Sequence, residues 1–288
     1  MDYGAALKRA EALQAAEASA VNPLCRTRVL VHGARSRHAA VLYHGITNCP
    51  QQFEAFGELL FERGYNVLIP RYPHHGLNDR LTDEQRLLTA TELRRFAIHT
   101  CEIGRGLGEH VSAIGLSLGG VVASWLAQEE RIDLAMPISS LFALPRVPVG
   151  LTRTIAVAAR HLPNLFLWWD PRQKQDLKPS YGYPRFSTHA FAAMLELGRD
   201  VQGQARRRRP QAAVIVAVTN ANDPAVNNRG TDRLIRTWRE RWAEPVVSHE
   251  FAAELGLPHD LIDPGNPEQN VALVYPVLLD LLERTGIN

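Results

Sequence analysis

The sequence predicts an α/β fold: a mostly parallel central sheet flanked by helices on both faces, with a helical cap inserted late in the sheet. Three observations carry this reading. Apolar runs of strand length alternate with longer amphipathic stretches over most of the chain, the pattern of parallel strands joined by crossover helices. One of those runs passes through a glycine-flanked turn straight into a helical segment, at 111–130. A single stretch, 140–210, breaks the alternation with prolines at 145, 148, 163, 171, 179 and 184 and a high density of aromatic residues, which reads as an insertion over the sheet.

Taken in order, the Ala- and Glu-rich first 20 residues predict a helix lying on the body of the protein, within an N-terminal segment of 1–22. Strands are expected at 28–32, 39–44, 65–70, 111–115, 134–139, 213–219 and 246–251, with helices at 51–63, 83–107, 118–130, 228–242 and 269–284. The helix at 83–107 has the strongest signature. Thr82 with Gln85 reads as a capping box, and Leu93, Phe96, Ala97, Thr100, Ile103 and Leu107 fall on one face. Short helices are expected at 151–161 and 188–199 inside the insertion. This divides the chain into a core of 23–139 and 211–288 and a cap of 140–210, with Arg206 to Arg209 as a solvated hinge.

At 288 residues and 32.1 kDa the chain can bury roughly 75% of its unfolded surface. Its 45% hydrophobic and 22% charged residues exclude disordered, collagen-like and coiled-coil classes. A net charge of +2 is too small to imply nucleic acid as a partner. No segment approaches the roughly 20 apolar residues of a membrane span. Lys8, Arg9, Glu11 and Glu17 interrupt the apolar core that a signal peptide would need before Ala18-Ser19-Ala20. Cys25, Cys49 and Cys101 are odd in number and lack C-x-x-C spacing, so neither a disulfide framework nor a zinc site is expected. A reducing, cytoplasmic setting is the default.

The most informative stretch runs from Val111 to Gly120, VSAIGLSLGG. G-x-S-x-G between a strand and a helix places a serine on a sharp turn, where Gly115 and Gly119 let strand and helix approach closely. Ser117 is then held outward at a helix N-terminus, where the dipole and the Leu118 N–H favour a developing negative charge. A serine hydroxyl needs a histidine to accept its proton, and that histidine needs an acid to orient it.

On these residues the sequence resembles the α/β-hydrolase superfamily, and its further motifs resemble the carboxylesterase and monoacylglycerol-lipase type of serine hydrolase. The resemblance runs from about residue 28 to the end and places the family's lid at 140–210. It implies that the loop His44-Gly45-Ile46-Thr47-Asn48 supplies an oxyanion donor, so the donors would be the N–H groups of Ile46 and Leu118. His44 would orient that loop rather than act as base. The loop Arg71-Tyr72-Pro73-His74-His75-Gly76 resembles the family's R-x-x-G-H-G segment with Pro-His in place of Gly-His, and is expected to shape the site entrance. Asp223, just past the strand at 213–219, matches the acid, ahead of Asp232, Asp260 and Asp263. His259 matches the base, ahead of His249, although Leu257 and Pro258 replace the usual small polar residues. The implied activity is hydrolysis of a short- to medium-chain acyl ester or monoacylglycerol, a small apolar substrate, with no cofactor or metal required. Thioesterase, amidase and C–C hydrolase chemistry use the same triad, and a non-catalytic binding protein on this scaffold is the alternative of a different class.

Overall fold

The computed structural model describes residues 1–17, 19–243 and 246–285; Ala18 of the expected cleavage-like triplet lies outside them. The chain begins with α1 (Tyr3–Ala15), whose N-terminus is capped by Asp2 accepting from the Ala5 N–H at 2.8 Å. It continues through β1 (Arg28–Leu30), β2 (Ser36–Tyr43), α2 (Glu54–Glu62), β3 (Tyr65–Ile69), α3 (Ala90–Leu107), β4 (Gly108–Leu116), α4 (Leu118–Glu129) and β5 (Leu134–Ile138). The insertion holds α5 (Val149–His161), β6 (Phe166–Trp168), β7 (Arg185–Ser187) and α6 (Thr188–Ala205). The chain closes with β8 (Val214–Asn220), α7 (Arg229–Trp242), β9 (Val246–Phe251) and α8 (Val271–Arg284).

Among the described residues seven strands form one sheet in the order β1-β3-β2-β4-β5-β8-β9, and every pairing except β1 with β3 is parallel. The short link at His32-Gly33 suggests a hairpin between β1 and β2. Instead β3 lies between them, because the crossover through α2 returns β3 to the open edge of β2. The alternation of side chains along the central strands builds two cores. Ala39, Val41 and Tyr43 of β2 face a layer containing α1, α3, α4, α6 and α7, whereas Ala40 and Leu42 face α2 and α8. Strands buried on both faces explain why these segments read as continuous apolar runs.

Two local expectations are corrected. The helix expected from 83 begins at Ala90, and its capping box is Thr89 with Glu92, not Thr82 with Gln85. Gln85 sits in a 3-10 turn, Glu84–Leu87, and its buried amide serves the loops described below. The other concerns cysteine: Cys25 and Cys49 form a disulfide across 24 residues, leaving Cys101 free and buried. Parity said nothing about which pair would meet. The expectation of a reducing setting rested on unpaired cysteines and loses that support.

Within the insertion, α6 packs against α3, α4 and α7 and contributes Ala190, Met194, Leu197 and Val201 to the core, while α5 and the β6–β7 hairpin stand above it. No helix among the described residues is long and apolar enough to cross a membrane. Non-reducing peptide mapping is expected to recover Cys25 and Cys49 in one linked peptide. Closing a loop of this size stabilises a fold by about 3 kcal/mol, so Cys25→Ser with Cys49→Ser is expected to lower the unfolding free energy by that order in chemical denaturation.

Candidate active site

The loops after β2, β4, β8 and β9 meet beyond the carboxyl ends of the parallel strands, where this class of sheet forms its sites. They enclose a cavity of about 410 Å³ lined by Ile46, Ser117, Pro224 and His259 from the core and by Trp169 and Tyr183 from the insertion.

Ser117 has φ 57° and ψ −110°, a backbone conformation that costs on the order of 1–3 kcal/mol for a residue with a side chain. Packing enforces it. A Cβ on Gly115 would lie 2.2 Å from the Gly119 carbonyl oxygen, and one on Gly119 would lie 1.8 Å from the Tyr43 carbonyl oxygen of β2. The strand, the helix and the neighbouring strand therefore touch backbone to backbone around the turn. The Ser117 N–H is tied to the Ile138 carbonyl at 2.9 Å, and the helix starting at Leu118 leaves its first N–H groups without intrahelical partners.

Asp223 and His259, 36 residues apart, are brought together: His259 Nδ1 stands 2.8 and 3.0 Å from the two carboxylate oxygens. The Asp223 side chain is fully enclosed, and the His259 side chain keeps 23% of its surface open. Asp223 also accepts from the N–H groups of Ala225 and Val226. Burial alone would raise its pKa, but the charge and hydrogen bond of His259 and the Ala225 N–H hold it below the usual carboxylate value. Burial disfavours the imidazolium of His259, yet the Asp223 carboxylate outweighs this and raises its pKa above the ordinary 6.5. His259 and Ser117 line the same cavity but make no hydrogen bond to each other among the described residues.

The loop after β2 is held from all sides by buried polar groups. The Gly45 N–H donates to Gln52 Oε1 at 2.8 Å. The Gly45 carbonyl accepts from the Asn48 N–H at 3.1 Å and faces His44 Nδ1 at 2.9 Å. Since His44 Nε2 accepts from the Tyr72 N–H, the ring proton sits on Nδ1, and burial keeps the pKa of this ring well below 6.5. With its carbonyl held by His44 and Asn48, the Gly45–Ile46 peptide turns the Ile46 N–H the opposite way, as planarity requires.

The chain matches the model of the Alpha/beta hydrolase family over residues 29–272. It belongs to the α/β-hydrolase family. No curated protein matches the sequence. Among solved structures, it is similar to one from the work on LipS and LipT, two metagenome-derived lipolytic enzymes, at 18% identity, covering 92% of this chain and 99% of that one with a TM-score of 0.66. It is likewise similar to the monoacylglycerol lipase of Paleococcus ferrophilus (18% identity, 89% and 98% covered, TM-score 0.66) and to the enol-lactonase of Burkholderia xenovorans LB400 (14%, 90% and 96%, TM-score 0.56). At such identities the likeness is one of fold.

In this α/β hydrolase it is Asp223, not Asp232, Asp260 or Asp263, that pairs with His259. Asp232 and His249 line a separate groove between α7 and β9. Asp260 and Asp263 face the loop after β2: Asp260 Oδ2 accepts from Gln52 Nε2 at 2.6 Å and from Asn48 Nδ2 at 3.3 Å, and Asp263 accepts from the Tyr181 hydroxyl. Burial, with the charge of Asp260 added, pushes Asp263 up to about 7. The segment 71–76 contributes no residue to the described lining of the cavity but holds Tyr183, which does line it, and braces the loop after β2. His75 lies between the Pro73 and Ile46 carbonyls at 2.8 and 2.6 Å, and burial pushes its pKa down to about 4, so at neutral pH it has one ring proton to place between them.

Gln52, His75 and Gln85 were missed by sequence reasoning. Gln85 donates to the Ile46 carbonyl and accepts from the Ser187 N–H, joining the loop to β7. Thr47 is tied to the insertion twice, through Trp169 Nε1 at 2.9 Å and the Tyr183 N–H at 2.7 Å. The signal available was a glutamine inside an apolar helical pattern, which is ambiguous without knowing what it faces. Gly45 and Gly119 provide a contrast in tolerance. A Cβ on Gly45 meets nothing closer than 3.7 Å. Gly119→Ala is expected to cost about 4 kcal/mol or more, read as lost soluble protein or a collapsed melting temperature, whereas Gly45→Ala should retain the wild-type circular dichroism and a near-native melt.

Proposed function

We propose that the chain is a serine hydrolase that cleaves carboxylic esters through an acyl-enzyme. Ser117 is the nucleophile, His259 the general base and acid, Asp223 the residue that orients it, and the N–H groups of Ile46 and Leu118 form the oxyanion hole. The observation that carries this reading is the enclosed Asp223–His259 pair at 2.8 Å beside a serine held at positive φ in one cavity.

With Nδ1–H directed to Asp223, His259 keeps Nε2 as the acceptor. It takes the Ser117 proton as Oγ adds to the ester carbonyl, and the carbonyl oxygen becomes an oxyanion beneath the two amides. Collapse expels the alcohol with the proton from Nε2. Water then loses a proton to the same nitrogen, attacks the acyl carbon, and Ser117 leaves reprotonated as the carboxylic acid is released. A small movement of the His259 ring or of Ser117 completes the contact when substrate binds, as is common where apo geometry is loose.

The insertion 140–210 is proposed to act as the cap over this site, with Trp169 and Leu177 as apolar wall. Ile46 and Leu116 line the cavity from the core. Its volume suits a short- to medium-chain acyl ester or a monoacylglycerol-like substrate. The names of the similar structures, lipolytic enzymes and a monoacylglycerol lipase, support ester chemistry, and the enol-lactonase keeps cyclic esters within range.

Hydrolysis of p-nitrophenyl esters of rising chain length tests the proposal. Ser117→Ala is expected to lose at least about 1,000-fold in kcat and all fluorophosphonate labelling; equal rates in the two proteins would contradict it. Because His259 must be neutral to act, activity should fall as pH drops through a pKa above 6.5. Asp223→Asn removes the charge that raises this pKa. Its acid limb is therefore expected to move to lower pH while kcat falls by about 10,000-fold; an unmoved limb would separate Asp223 from the base.

A further inference from the structure

A second carboxylate, Asp260, lies close to His259 without serving the proton transfer, and it reaches the oxyanion loop through a single side chain. Gln52 is 2% exposed, and both ends of its amide are used. Oε1 accepts from the Gly45 N–H at 2.8 Å, and Nε2 donates to Asp260 Oδ2 at 2.6 Å. The orientation of that amide is dictated by its partners, since an N–H needs an acceptor and a carboxylate needs a donor. Asp260 is surrounded by donors. Oδ2 takes Gln52 and Asn48, and Oδ1 takes the N–H groups of Ile262 and Asp263 at 3.2 and 3.1 Å. Burial raises the pKa of Asp260, and the four donors, with no acceptor among them, oppose this by favouring the ionised carboxylate.

We propose that Asp260 and Gln52 are positioning residues: the Asp260 carboxylate fixes the sense of the Gln52 amide, and the amide in turn anchors Gly45 and so aims the Ile46 N–H. This rests on the serine-hydrolase reading given above. Asp260 follows His259 directly, so one carboxylate anchors the loop that carries the base and, through Gln52, the loop that carries the oxyanion donor.

The chemistry of the two ends makes the proposal testable by exchange. In Asp260→Asn, the carboxamide oxygen goes to the Ile262 and Asp263 amides and its NH₂ then meets Gln52 Nε2, donor against donor. Gln52 must turn over, which puts NH₂ against the Gly45 N–H and displaces the loop. In Gln52→Glu, two carboxylates face each other. In the double variant, the carboxylate introduced at position 52 accepts both from the Gly45 N–H and from the carboxamide introduced at position 260, so the donor–acceptor order is restored with the same total charge.

The experiment measures kcat, KM, melting temperature and amide hydrogen exchange at Gly45 for the full-length wild type, Gln52→Glu, Asp260→Asn and the double variant, with p-nitrophenyl butyrate as probe. Each single variant is expected to lose about ten- to a hundred-fold in kcat with KM changed less than about threefold, because the donor acts on the transition state, and to exchange Gly45 faster. The double variant is expected to regain at least about tenfold in kcat over the poorer single, with Gly45 protection. Single variants at wild-type kcat and protection, or a double variant no better than its poorer parent, would overturn the proposal. If a single variant is too unstable to assay, joint recovery of melting temperature, kcat and protection in the double still decides. A wild type inert toward esters but showing the loss and recovery of Gly45 protection would overturn the hydrolase reading and support the anchoring itself.

Discussion

The structure turns on one steric constraint, the backbone-to-backbone contact at Gly115 and Gly119. A parallel strand must hand over to a helix that packs on the same sheet, and the turn between them has no room for a side chain at Gly115 or Gly119, two residues either side of its apex. Ser117 occupies that apex at positive φ, with its strain held by β2 on one side and β5 on the other. The Gly119 backbone presses on Tyr43 and the Ser117 N–H is tied to Ile138. The backbone alone thereby holds Ser117 at the rim of the cavity, immediately before the first residue of α4.

The loops after β2, β8 and β9 meet near that point, and each is fixed by buried polar groups in addition to its apolar packing. Such groups are costly unless fully paired, so pairing confers precision. Asp223 is held by two backbone amides and His259. The loop after β2 is held by His44, Gln52, His75 and Gln85, two of which reach it from the segment between β3 and α3. The insertion is fastened to the same loop through Thr47, Trp169 and Tyr183, so this wall of the cavity and the loop after β2 share a frame.

Much of this was legible in the sequence because it is periodic or local. The strands and helices follow from apolar patterning, the strand–turn–helix at Ser117 from two glycines at fixed spacing, and the pairing of Asp223 with His259 was expected from the family resemblance. The remainder depends on long-range contacts that pattern does not encode. Thr82 and Gln85 imitate a capping box, but Gln85 is needed by Ile46 and Ser187, and Thr89 with Glu92 provides the true cap. The position of β1 beside β3, the meeting of Cys25 with Cys49 and the bracing role of the segment 71–76 all depend on where α2 and β3 return in space. From the sequence Asp260 reads only as a rival acid, since nothing local shows that its neighbour is an amide seven residues beyond Gly45.

The most direct test is a crystal structure of the protein with a phosphonate covalently attached to Ser117. The phosphoryl oxygen is expected about 3 Å from both the Ile46 and Leu118 nitrogens, with His259 still paired to Asp223 and its Nε2 turned toward the adduct. An adduct oxygen facing solvent or another group, with those two amides unengaged, would contradict the account.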